Sequence, residues 1–162
     1  MNLNPSDSEA TVSISNGTQG LNFEDIQSLD FTMIKLKLQD LEEGQGWPPE
    51  RCEAVEIEYR KFLALKRTYP HREIVPNRDV DLFWHQHILD TVKYAEDCEK
   101  IFGSFLHHYP YFGMNGPDDY SDLCTAFEET RMLYRRHFTE EYGAAAGNRT
   151  KCRTKCKPMK CK

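Results

Sequence analysis

Four histidines fall within 24 residues, His85, His87, His107 and His108, and the first two sit in the run DVDLFWHQHILDTVKYAEDC at positions 79–98. Imidazole nitrogens, a carboxylate such as Asp81 and a thiol such as Cys98 are the donors that zinc, iron, copper or nickel take from proteins. If the run is helical, side chains three, four, seven or eleven apart stack, whereas those two apart diverge by about 200°. His85 and His87 therefore point to different faces. Asp81, His85, Leu89 and Val92 share one stripe; Trp84, His87, Thr91, Tyr94 and Cys98 share another, with Asp90 one turn from His87 and able to orient its ring. One or both stripes would supply metal ligands or acid–base groups, completed by His107 or His108. The candidate ligand set is Asp81, His85, His87, Cys98, His107 and His108, with zinc, iron or copper as the ion.

The same residues admit a structural reading. Asp81 and His85, four apart, form an ordinary helix-surface pair, Trp84 and Tyr94 belong to the core, and His87 hydrogen-bonds a buried backbone carbonyl. Cys98 then packs as a small hydrophobe. An HxH pair on a helix is less specific than HExxH. No hydrolase elbow, phosphate loop, dinucleotide fingerprint or paired CxxC zinc motif accompanies it.

A second constellation lies at the end of the chain. Cys152, Cys156 and Cys161 are spaced C-x3-C-x4-C among seven Lys and Arg from Asn148 to Lys162, with no acid between them. Neighbouring cations favour the thiolate, and three thiolates suit a soft ion such as Cu(I) or Zn(II), which would make a delivery or storage tail. Alternatively the tail is a peptide substrate, modified by a partner enzyme or by the folded body itself. A third reading is a basic tail that meets an acidic protein or nucleic-acid phosphates; without interleaved aromatics, sequence-specific nucleic-acid binding is not expected.

The elements that must position these groups follow from apolar spacing. Phe23, Ile26, Leu29, Ile34, Leu38 and Leu41 recur at helical intervals, as one long or two short helices ended by Gly44 and Gly46. A second helix opens at Pro48 or Pro49 and runs to about Thr68, with Val55, Tyr59, Phe62 and Leu63 inward. A third, N-capped by Asn77, continues to about Phe102 and breaks at Gly103. The segment HHYPYFGMNG reads as an ordered aromatic loop. A fourth helix opens at Pro117, behind which Leu123, Phe127, Leu133, Tyr134 and Phe138 are core candidates. The expectation is an all-α, compact, four-helix bundle-like domain over residues 21–142, between a disordered lead-in (1–20) and the basic tail (143–162).

Bulk properties agree with one domain. The 162 residues are 39% hydrophobic and 29% charged, enough for a single core and short of two. The net charge of −5 divides into +7 on the tail and −12 on the remainder. No apolar run reaches the roughly 20 residues a membrane span needs. The N-terminus lacks the pattern of a targeting segment, and Cys52, Cys98 and Cys124 are scattered rather than framework-like, which points to reduced thiols and a cytoplasmic location.

The run from Asp79 to Gly103 resembles the glycine-rich domain-containing protein-like family. The shared pattern here is Asp81, Trp84, His85, His87, Leu89, Tyr94, Asp97, Cys98 and Gly103. The similarity is to the short, stand-alone bacterial kind and extends from about Leu29 to Phe138, taking in GQGW at 44–47, YRKFLALKRTYP at 59–70 and FLHHYPYFGMNG at 105–116. Plant members carry a glycine-rich region and further domains, which this sequence lacks. The resemblance implies that the WHxH and DC residues belong together, and it brings no reaction with it. The expected function is a metal-binding helical protein, of which a metal-dependent oxidoreductase acting on a peptide or small molecule is the catalytic form. The alternative is a non-catalytic interaction module with a structural His/Asp/Trp network.

Overall fold

The computed structural model describes Leu21 and residues 23–143; the lead-in and the tail, with Cys152, Cys156 and Cys161, lie outside the described residues. Among these, six helices and no strand are found: α1 (Glu24–Gln27), α2 (Thr32–Gln39), α3 (Pro49–Thr68), α4 (Arg78–Leu89), α5 (Thr91–Phe102) and α6 (Pro117–Phe138). The class is all-α, as expected. Two of the four expected segments each divide in two. No helix is long and apolar enough to cross a membrane among the described residues.

The first segment breaks between Ile26 and Phe31, where buried Arg60 of α3 donates to the carbonyls of Ile26 and Leu29 and so satisfies acceptors at the end of α1. α2 stops at Gln39, because Gln45 and Trp47 both return their N–H groups to the Leu38 carbonyl at 3.1 Å. Leu41, expected on the inner face, is consequently outside the helix and 88% exposed.

α3 is the hub. Proline at its N1 position costs no helical hydrogen bond, and Val55, Tyr59, Phe62 and Leu63 are buried as their spacing predicts. It packs against α4, α2, α1 and α6, while α4 also touches α2 and α5. The Asn77 side chain caps α4 by accepting from the Val80 N–H at 2.9 Å. That cap is itself held: its N–H donates to the Tyr142 hydroxyl and its amide to buried Glu58, each at 2.9 Å.

The long third helix expected from Asn77 to Phe102 is interrupted at Asp90, whose ψ of 73° is non-helical and whose N–H reaches back to the His87 carbonyl at 3.2 Å. The chain turns there. Residues ten apart on one straight helix stand about 15 Å apart along its axis, yet Trp84 bonds Tyr94 at 2.9 Å and His87 bonds Asp97 at 3.1 Å. α5 has therefore folded back beside α4. Leu89 and Val92, at the corner, are exposed. α5 ends at Gly103 in the left-handed conformation (φ 66°), a C-cap that glycine adopts without strain.

Candidate metal centre

The loop after α5 is pinned from three directions. The Trp84 indole N–H donates to the Tyr94 hydroxyl, and that hydroxyl donates to the Leu106 carbonyl at 2.6 Å. The Asp119 carboxylate on α6 accepts the Gly113 and Asn115 N–H groups at 2.7 and 3.0 Å. His108 rests against the Trp84 ring, with centroids 4.5 Å apart. These contacts set the His108 ring over the N-terminal half of α4.

There it meets Asp81 and His85. His85 Nε2 and His108 Nε2 are 3.0 Å apart, His108 Nε2 is 3.2 Å from Asp81 Oδ1, and His85 Nε2 is 3.6 Å from the same oxygen. Asp81 is buried, and the two imidazoles are half-buried. Ligand atoms about 2.1 Å from one ion stand roughly 3.0 Å apart in octahedral and 3.4 Å apart in tetrahedral geometry. The observed triangle spans that range. Two Nε2 atoms facing one another at hydrogen-bond distance cannot both carry a proton on the line between them, nor can both leave it bare without repulsion. One proton serves one edge of the triangle; a cation at its centre serves all three lone pairs.

The remaining candidates lie elsewhere. His87 is 1% exposed and enclosed by a separate network: its Nδ1 is 2.9 Å from the Tyr59 hydroxyl and its Nε2 3.1 Å from Asp97, which also accepts from Lys93 at 2.9 Å. Burial pulls the His87 pKa down to about 4 against the opposing pull of Asp97, and burial raises that of Tyr59, so a neutral imidazole meets a neutral phenol. The consistent assignment has Tyr59 O–H donating to Nδ1 and Nε2–H donating to Asp97. Both ring nitrogens are thereby used. Asp97, rather than Asp90, orients the ring, because the turn at Asp90 swings α5 across it. The partners are side chains and not the backbone carbonyl that the structural reading assumed.

Cys98 is buried, and burial raises its thiol pKa, with the Leu106 N–H and the neighbouring Tyr94 hydroxyl working in the opposite direction. It packs under the loop as a protonated thiol, and Cys52, Cys98 and Cys124 are all free. His107 is exposed and leans on Phe105 at 5.0 Å between centroids, outside the Asp81–His85–His108 triangle. Among the described residues, then, that triangle is the group of His, Cys, Asp and Glu side chains close enough to share one ion.

A cavity of about 210 Å³ opens beside the triangle and is lined in part by Asp81 and His108. Sequence reasoning did not find it. His107 and Tyr109 of the loop also line it, while Lys66 and Glu73 come from α3 and the α3–α4 connection, away from the histidines in sequence.

The family profile described as UCP032817-like matches residues 26–127, from α1 into α6 and across all three residues of the triangle. The chain belongs to the UCP032817-like family. Among named proteins, Glycine-rich domain-containing protein 1 of Arabidopsis thaliana is 33% identical over 91 residues, which is 54% of this chain and 11% of the plant protein. The chain thus corresponds to a small part of that relative, in line with the resemblance carried by the WHxH and DC residues. No solved structure matches it.

Proposed function

We propose that Asp81, His85 and His108 hold one divalent transition-metal ion and that the protein is a metal-dependent oxidoreductase acting on a small molecule or peptide. The observation that carries the reading is the convergence of two imidazole nitrogens and one carboxylate oxygen within 3.6 Å, from a helix and a separately anchored loop. Two histidines and a carboxylate on one face of an ion leave positions open on the other, the arrangement non-haem iron(II) oxygenases use. A zinc ion in the same donor set would hold water at its open position. Asp81 brings a negative charge to offset the ion, and Trp84 shields one side of the site.

The test is elemental analysis of protein purified without a histidine tag, followed by reloading with iron(II) or zinc. About one ion per chain is expected in the wild type, lost in an Asp81→Asn, His108→Ala variant and retained in His87→Gln. An ion at 100 times its Kd would stabilise the fold by about 2.7 kcal/mol, read as a shift in the unfolding transition. Sub-stoichiometric metal in both wild type and triangle variant, with no shift on reloading, would overturn the reading.

A non-catalytic role has one observation in its favour. The His108–Asp81 distance of 3.2 Å is also that of a hydrogen bond, so the triangle would then tie the loop to α4 without an ion. That reading expects the triangle variant to lose stability by about 1–3 kcal/mol and added metals to change nothing.

A further inference from the structure

Lys66 projects from α3 into the cavity that Asp81 and His108 border. Its ammonium lies 6.0 Å from the centroids of both Phe62 and Trp84, and among the described residues none accepts a hydrogen bond from it. Burial lowers its pKa while Glu73 works in the opposite direction, as for a half-buried cation with one acidic neighbour. Such a group gains most from an anion that can bond it directly.

The charges around the cavity decide when an anion can enter. Glu73 and Asp81 outweigh Lys66, so with imidazoles counted as neutral the lining carries −1. A divalent ion in the triangle turns that to +1. The volume, about 210 Å³, is below the roughly 300–1,000 Å³ of sites for drug-sized ligands, and Ile74, Val75, Phe112 and Leu123 supply apolar walls. A short carbon chain with a charged end fits these walls better than an inorganic ion does.

We infer that this cavity binds a small organic acid, one carboxylate held by Lys66 and the other end of the molecule directed at the open positions of the ion on Asp81, His85 and His108. The inference rests on the metal reading and adds to it a substrate class and a residue, Lys66, that selects for it. Binding is conditional on the ion, because without it the cavity repels anions.

Succinate serves as the probe, with zinc as a redox-silent ion and calorimetry on the full chain, checked by the fluorescence of Trp47 and Trp84, of which Trp84 lines the cavity. Zinc-loaded wild type is expected to bind succinate, and stripping the metal should weaken binding at least about tenfold. Lys66→Met should weaken it by a similar factor, the loss expected for one charge-assisted hydrogen bond, while leaving zinc affinity unchanged. Lys66→Arg should retain binding, and Glu73→Gln should strengthen it. If zinc binds but Lys66→Met takes up succinate as the wild type does, or inorganic phosphate binds as tightly as succinate, the inference fails and the metal reading stands. If the wild type takes up no zinc, both fail.

Discussion

Replacing His87 with glutamine should flatten the acid sensitivity of the fold. His87 is 1% exposed and its pKa is lowered to about 4 by burial, whereas in the unfolded chain it returns to about 6.5. Between those values the unfolded state binds a proton that the folded state refuses, so stability falls as pH drops through 6.5 and levels off below about 4. At about 1.4 kcal/mol per pH unit, the interval corresponds to about 3 kcal/mol. The sign is opposite to that of a surface histidine paired with a carboxylate, which would lose stability on raising the pH. Urea unfolding followed by circular dichroism at pH 7, 5.5 and 4 supplies the comparison. The wild type should lose about 3 kcal/mol more than His87→Gln across that range. At pH 7 the variant should already be weaker by about 1–3 kcal/mol, because Tyr59 and Asp97 each lose a partner. Parallel pH profiles for the two proteins would refute the assignment of a buried neutral imidazole.

Tyr94→Phe removes both the acceptor for Trp84 and the donor to Leu106; it should cost about 1–3 kcal/mol and weaken zinc binding without touching a ligand, and unchanged zinc affinity would show that the hydroxyl does not position the loop. Gly113→Ala meets a positive φ of 85° and the Leu123 side chain at once, so a loss of about 1–3 kcal/mol in chemical unfolding is expected. Asn77→Ala should exceed the roughly 1 kcal/mol of an ordinary N-cap, because it also removes the amide that donates to buried Glu58; a loss below that value by thermal unfolding would count against the cap.

The helical class, the start of α3, the Asn77 cap and the Gly103 stop were legible because each depends on local chemistry: apolar spacing, proline at N1, a capping amide and a left-handed glycine. The break at Asp90 was not, since HILDTV contains neither glycine nor proline and the turn is stabilised by partners from α3 and the loop. The one local sign was the pair Leu89 and Val92, apolar residues on a stripe otherwise polar at Asp81 and His85. The sequence separated His85 from His87 by angle alone, and the two rings do occupy different environments. It could not choose between His107 and His108, because adjacent loop residues have no fixed angular relation until Tyr94 and Asp119 anchor the segment. Lys66 and the cavity were invisible for the same reason: α3 meets α4 only in three dimensions.

The two histidines of the HxH pair divide one task. His87 sits inside, bonded to Tyr59 on α3 and to Asp97 on α5, and those two bonds fix the rotation of α4 about its own axis. A rotation of one residue, about 100°, would carry Asp81 and His85 away from the loop. The buried network is therefore what aims the half-exposed one. The turn at Asp90 makes this possible, because it brings Tyr94 and Asp97 back along α4, so that one short helix serves both to lock α5 in place and to receive His108. A metal ion would tighten the second junction without being needed for the first, so loss of the triangle should abolish ion binding, whereas loss of His87 should lower stability and weaken the ion's affinity while leaving its saturating stoichiometry at about one.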